Sequence, residues 1–207
     1  MPAGTSLEVV NHALTFLGER PLVSDVDDVP AADIVRDQWA FVRRAELSLA
    51  PWSFAVTRDE WAAAVDPPAF GWSHSYALPA DFLRLVELPD LGVTWIYPYS
   101  REPFALDDAP AYELEGSALL CDRPGPLRVR YVRDVDDWGL WHPLFAQVMA
   151  YRFAVILAEA VSQSTAKRQE AMAEHERTLA LARRVNAIQK PPRRLVGTSP
   201  WLQARGG

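Results

Sequence analysis

Two acidic runs, Asp25-Val26-Asp27-Asp28 and Asp134-Val135-Asp136-Asp137, come closest to a chemical site, because hard cations such as calcium draw several carboxylates from one short loop. Neither run has the glycine at the sixth loop position or the bidentate glutamate at the twelfth. Each stands just ahead of a segment with helical periodicity, so these acids are expected to cap helix amides and complement the helix dipole. The four histidines, His12, His74, His142 and His175, lie far apart without a second histidine or cysteine at ligand spacing. They are read as surface or capping residues. Asp107 and Asp108 could be paired for acid and base work, but no pocket signal accompanies them and they read as a solvated loop. The glycines are scattered and no serine sits in a nucleophile elbow. Cys121 is a lone cysteine, which excludes an internal disulfide framework and reads as a small buried hydrophobe. The expectation is a chain that is not an enzyme, with no catalytic residues, no cofactor and no metal.

Trp52, Trp61, Trp72 and Trp95 could form a stacking platform for single-stranded nucleic acid. Such a platform needs interleaved basic residues, and Trp52 to Trp95 holds only Arg58 and Arg84 against several acids. Core and interface packing is the favoured use. A net charge of -6 and a pI near 5.2 argue against a non-specific grip on nucleic acid. At 207 residues and 49% hydrophobic content, the chain has ample material for a core. No run approaching eighteen apolar residues and no basic-then-apolar start is evident, which predicts a soluble protein that is intracellular when made.

The elements that must position these side chains follow from periodicity. A first helix is signalled by Thr5 and Glu8 at capping-box spacing, by Leu7, Val10, Leu14 and Leu17 on one face, and by Gly18 as a stop. A second is expected from about Pro30 to Leu49, with Val35, Trp39, Val42 and Leu49 as its stripe, Arg36, Arg43 and Arg44 off it, and Pro51 ending it. Short strands are expected over His74 to Leu78, Leu83 to Leu88, Val93 to Tyr97, Tyr112 to Leu114, Ala118 to Cys121 and Leu127 to Val132. Turns are read at Glu115-Gly116 and Pro124-Gly125. Helical pattern returns from about Trp141 to Val161, with Leu144, Val148, Tyr151 and Val155 on one face, and again from Thr165 to Gln189, marked by Met172, Leu179, Ala182, Val185 and Ile188. The expected fold is α+β: a mainly α-helical bundle from residues 1–51 and 138–190, an inserted antiparallel β region over 52–137, and an extended tail over 191–207.

That tail, from Pro191 to Gly207, carries apolar side chains that its own domain has little means of burying. Pro191 and Pro192 forbid helix continuation, and an extended path would reach about 50 Å. Arg193, Arg194, Leu195, Val196, Trp201 and Leu202 have the types and spacing of anchors for a groove or sheet edge on a partner. A loose terminus is the plain alternative.

Several stretches together resemble the tail tubular protein A family, the head-to-tail adaptors of tailed bacteriophages and gene transfer particles. The likeness is carried by Val10-Asn11-His12-Ala13-Leu14 with Leu17-Gly18-Glu19-Arg20-Pro21-Leu22, and by Val35-Arg36-Asp37-Gln38-Trp39 with Val42-Arg43-Arg44-Ala45. Ala50-Pro51-Trp52-Ser53-Phe54-Ala55 and Gly71-Trp72-Ser73-His74-Ser75-Tyr76-Ala77-Leu78-Pro79-Ala80-Asp81-Phe82-Leu83-Arg84 are similar to its proline-tryptophan corner and its strand-and-turn. Arg130-Tyr131-Val132 and Trp141-His142-Pro143-Leu144-Phe145 also fit. The resemblance implies a virion protein at the head-tail junction, made in the host cytoplasm, with about a dozen copies in a ring beneath the portal protein. Its implied partners are other copies of itself, the portal, a tail or nozzle protein, and double-stranded DNA passing through without specific binding, with no membrane. A nucleic-acid-binding accessory factor of phage origin, using Arg193, Arg194 and the aromatic β region, is the alternative.

Overall fold

The structure is a computed structural model that describes residues 5–24, 27–93 and 111–189. Among the described residues, four helices and two small antiparallel sheets make up a mixed α+β fold, with every described strand lying between the second and third helices in chain order. Helix α1 spans Thr5–Phe16 and buries Val9, Val10, Ala13 and Leu14, with Leu17 just beyond it. It stops because Gly18 adopts φ 71°, which lets the Glu19 amide donate back to the Leu14 carbonyl at 2.8 Å. Lys167 also donates to the Leu17 carbonyl, placing a cation on the negative end of the helix. The Asn11 side chain then brackets Leu22, accepting from its amide at 2.8 Å and donating to its carbonyl at 3.0 Å.

Helix α2 spans Pro30–Ser48. Val35, Trp39 and Val42 are buried as the stripe requires, but Leu49 is 41% exposed and Arg43 is 6% exposed, which reverses the expected placing of both. The stripe turns through Arg43, Glu46 and Leu47 because the helix packs against two layers at its C-terminal end, the other helices and the sheet. The acids before α2 do not cap it. Its N-cap is Val29, without a side-chain bond, and Asp27 instead accepts from the Val23 and Ser24 amides at 2.9 and 3.2 Å. Asp25 and Val26 lie outside the described residues.

After the Pro51 corner, β1 (Val56–Trp61) runs antiparallel to β6 (Leu127–Arg133), and β3 (Phe82–Glu87) pairs along the other side of β6. The second sheet is ordered β2 (His74–Ala77), β5 (Ala118–Cys121), β4 (Glu113–Glu115). Strand β1 has no counterpart in the sequence reading, because Thr57-Arg58-Asp59-Glu60 lacks apolar alternation; it is an edge strand held by its neighbour's backbone. The strand expected at Val93 to Tyr97 is described only at Val93, which bridges to Leu88. Gly116, at φ 56°, makes the turn between β4 and β5.

Period-two alternation makes β6 the seam of the molecule. Leu127, Val129 and Tyr131 face an apolar cluster between the sheets, with Trp61, Tyr76, Leu119 and Cys121, while Val132 joins the helical core. Helix α3 (Pro143–Leu157) is the centre of that core and packs against α1, α2 and α4. Its N-cap is His142, whose Nδ1 accepts from the Leu144 amide at 3.2 Å, so the acids at 134–137 do not cap it. The helix runs on through a π turn at Ala158–Ser162 and ends at Gln163, φ 47°. The helical run Pro143–Ser162 has the length and a mean hydropathy of 1.6 that would suit a membrane span, and half of it is buried inside the protein. Gln147, Arg152 and Glu159 interrupt this run, which is why no apolar stretch of that length is evident in the sequence.

Helix α4 (Thr165–Ile188) starts at Ser164, whose side chain accepts from the Lys167 amide at 3.3 Å. Its buried seam is Ala171, Thr178 and Ala182; Met172 and Ile188, expected on that seam, are 45% and 73% exposed. Small residues win there because they let α4 lie close along α3.

The link between the helices and the sheet is an ion cluster. Arg43 Nε and Nη2 donate to the two carboxylate oxygens of Asp134 at 2.8 and 2.9 Å, and Nη1 donates to Asp136. Replacing Arg43 with leucine should leave those carboxylates unmatched and cost about 3 kcal/mol, at the lower end for a buried pair because Asp136 is partly solvated. Urea denaturation would read that loss, with Arg36→Leu, at an exposed pair with Asp33, changing stability by less than about 1 kcal/mol.

Candidate functional site

Most of the side chains with chemical potential are taken up by structure. Asp134 and Asp136 hold Arg43, Asp136 also accepts from Trp39 Nε1 at 3.3 Å, and Asp137 accepts from the Gly139 amide at 3.0 Å. Burial works against the charge on Arg43, but the hydrogen bonds and charges of the two aspartates outweigh it, and its pKa is raised. Helix capping, expected of this whole run, falls to Asp137 alone, and only for the short 3-10 turn at Trp138–Leu140.

A second centre, absent from the sequence reading, lies where α2, α3 and α4 meet. Glu46 is buried, with Arg152 Nε 3.6 Å and His175 Nε2 3.2 Å from its Oε1. The His175 approach is close but not aligned as a hydrogen bond, and Glu46 Oε2 has no partner. His175 is therefore neither a surface nor a capping residue, since its side chain is 13% exposed. Residues 35, 39, 42 and 46 share one face of α2, so the spacing itself carried a signal that Glu46 is buried. The spacing of 171, 175, 178 and 182 did the same for His175.

Of the other histidines, His12 sits edge-on to Tyr151 with centroids 6.1 Å apart, and His74 pairs with Cys121 across β2 and β5. Cys121 is fully buried, and burial, helped by the Asp122 charge and opposed by a weak bond to the Arg123 carbonyl, pushes its thiol pKa up. Tyr131 donates to Asp81 Oδ1 at 3.1 Å; burial and then the Asp81 charge push its phenol up to about 12. Among the described residues, no three of His, Cys, Asp and Glu come together as a metal set. Asp107 and Asp108 lie outside the described residues.

The tryptophans pack. Trp39 stacks between Trp141 and Phe153, at 6.0 and 5.3 Å, and Trp52 meets Phe145 at 5.1 Å while donating to the Glu46 carbonyl at 3.1 Å. Trp61 is buried against Phe82 and Tyr131. Trp72, half-buried, donates to Glu113 Oε2 at 3.0 Å, and Trp95 lies outside the described residues. These rings are spent on one another, which leaves no open stacking face at Trp39, Trp52 or Trp61.

The outside carries what the interior does not absorb. Val65, Phe70, Phe41 and Ile188 are 97%, 88%, 72% and 73% exposed. Val65 and Phe70 belong to the loop between β1 and β2. Beside it lies an open groove of about 430 Å³, lined by Asp66, Pro67, Pro68, Ser75, Glu115 and Leu120 among others. A closed space of about 10 Å³ between Trp52, Phe145, Ala182 and Asn186 is too small for more than one water. The anchors read from the sequence, Arg193, Arg194, Leu195, Val196, Trp201 and Leu202, lie outside the described residues.

No protein-family model matches the sequence, and no curated protein matches it either.

Two titrations check this account. Tyr131 has a folded pKa raised above the usual 10, so its contribution to stability is complete below pH 10 and is lost as pH rises toward 12. The phenolate absorbance should show a tyrosine step near pH 12 that Tyr131→Phe removes. A disulfide reagent at pH 8 should leave Cys121 unmodified in the folded protein and modify it fully in urea.

Proposed function

We propose that this chain is a structural, non-enzymatic subunit of a head-to-tail adaptor ring, one that sits beneath a portal, extends its DNA channel and offers a platform for the tail. The observation that supports it is the contrast between interior and surface. Ionisable side chains that could do chemistry are bound up in the clamp at Arg43 and the centre at Glu46, while large apolar side chains, Phe41, Val65, Phe70 and Ile188, stand in solvent. A chain so arranged gains most by associating.

The residues of the family resemblance agree with this reading because they do structural work. Trp52 of the Ala50-Pro51-Trp52 corner is buried under α2, and Tyr76 and Asp81 anchor the sheets through bonds to the Arg123 carbonyl, at 2.5 Å, and to Tyr131. Repeating one modest contact around a ring adds avidity, so each interface can be weak. The acidic balance suits a lumen that DNA must leave without sticking. In this reading the tail over 191–207 docks on the portal through Leu195, Val196, Trp201 and Leu202, with Arg193 and Arg194 at its base.

Deleting residues 191–207 should leave the melting transition of the remainder unchanged and abolish co-purification with portal-bearing capsids. A truncated protein that still co-purifies with portal removes the docking role. Electron micrographs of the full chain, alone and with portal, should show rings; a salt-sensitive shift of short DNA with no rings would favour the nucleic-acid-binding alternative instead.

A further inference from the structure

Two unlike surfaces of this chain complement each other, and they lie at different ends of β1. The first is the loop between β1 and β2, residues 62–73, which presents Val65 and Phe70 almost wholly to solvent. Its charge is negative. Asp66 is exposed within the loop, and Glu113 and Glu115 of the adjoining strand β4 are exposed beside it, the loop being tied to that strand by the Trp72 to Glu113 bond. Val65 and Phe70 lie off the sheet cluster that holds Trp61 and Tyr76.

The second surface is the outward side of the C-terminal half of α2. Phe41, Arg44, Ala45 and Ser48 share this side at spacings of three and four residues, and Leu49 is exposed just beyond. Here the excess charge is positive. Arg183 of α4 donates to the Leu49 carbonyl at 3.4 Å, while Asp37, one turn before Phe41, is the opposing acid on α2. Arg44 is half exposed and only 3.8 Å from Asp134 at its closest.

Strand β1 leaves the helical core at Val56 and delivers the loop beyond Trp61, about 17 Å further on at the rise of a strand. One chain therefore holds an acidic apolar projection at one end of β1 and a basic apolar face at the other. We infer that the 62–73 loop of one copy docks on the α2 face of the next, with Phe70 and Val65 against Phe41 and Leu49 and Asp66 facing Arg44 and Arg183. Contacts between unlike patches are heterologous, and such contacts propagate from copy to copy until the rotation closes. This rests on the ring reading above and names the surface that would build the ring.

The test uses two full-length variants whose changes lie at exposed positions. Val65→Ser with Phe70→Ser removes the projection, and Phe41→Ser with Arg44→Ser removes the face. Each should melt as the parent does. In sedimentation velocity across a concentration series, each variant alone should need a concentration higher by about tenfold or more to assemble. Mixed in equal amounts they should form dimers and nothing larger, because each supplies the one surface its companion still needs. A chain carrying both Phe41→Cys and Phe70→Cys should give a ladder of covalent multimers on oxidation. Parent rings together with undiminished assembly of both variants and no ladder would overturn this contact and leave the ring intact. A parent that stays monomeric at every concentration and with portal present would overturn the ring reading and this contact together.

Discussion

The fold depends on a buried arginine. Arg43 is carried by α2, its carboxylate partners by the segment between β6 and α3, and the three side chains close the gap between the helical core and the sheet. A guanidinium suits this position because its planar fork can reach both oxygens of Asp134 and still turn a third nitrogen on Asp136. Trp39, one turn earlier, adds a bond to Asp136 and stacks on Trp141 and Phe153, so polar and apolar contacts fix the same register. Moving α2 relative to the 134–136 segment would leave this buried charge unmatched, which is a cost that apolar contact alone does not impose.

The consequence for function is one of allocation. Carboxylates, imidazoles and guanidinia are the groups from which active sites are built, and here several of them lie under the surface in mutual neutralisation. Glu46 illustrates the cost of such placement. Arg152 and His175 approach one oxygen, the other is left without a partner, and the nearby guanidinium of Arg152 is what offsets the cost of burying the carboxylate. The surface retains apolar side chains at the loop after β1 and on the outer sides of α2 and α4, a distribution that suits a subunit in an assembly.

The helical layer adds a second constraint. Helix α3 is surrounded, with Phe145, Val148, Met149, Phe153 and Leu157 all buried, and it can be surrounded only if its neighbours come close. On α4 this closeness is provided by Ala171 and Ala182, whose lack of bulk matters more than apolar character. Larger apolar residues on the same helix, Met172, Leu181 and Ile188, are turned outward.

What the sequence by itself determined is the order and kind of most elements. Helices α1 to α4 and strands β2, β3, β5 and β6 lie close to where periodicity, Gly18 and Pro30 put them, because those signals act through a residue's near neighbours along the chain. The packing of Trp39 was legible for the same reason, and the burial of Cys121 and Trp52 from residue type and the charges around them. Only the tertiary structure decided that β1 is a strand, that Arg43 lies inside, that His175 meets Glu46, and that Asp134 and Asp136 grip an arginine in place of capping α3. Each of these turns on a partner ninety or more residues away, or on a neighbouring strand's backbone, and no local pattern records which distant group will arrive to neutralise a charge or complete a ladder.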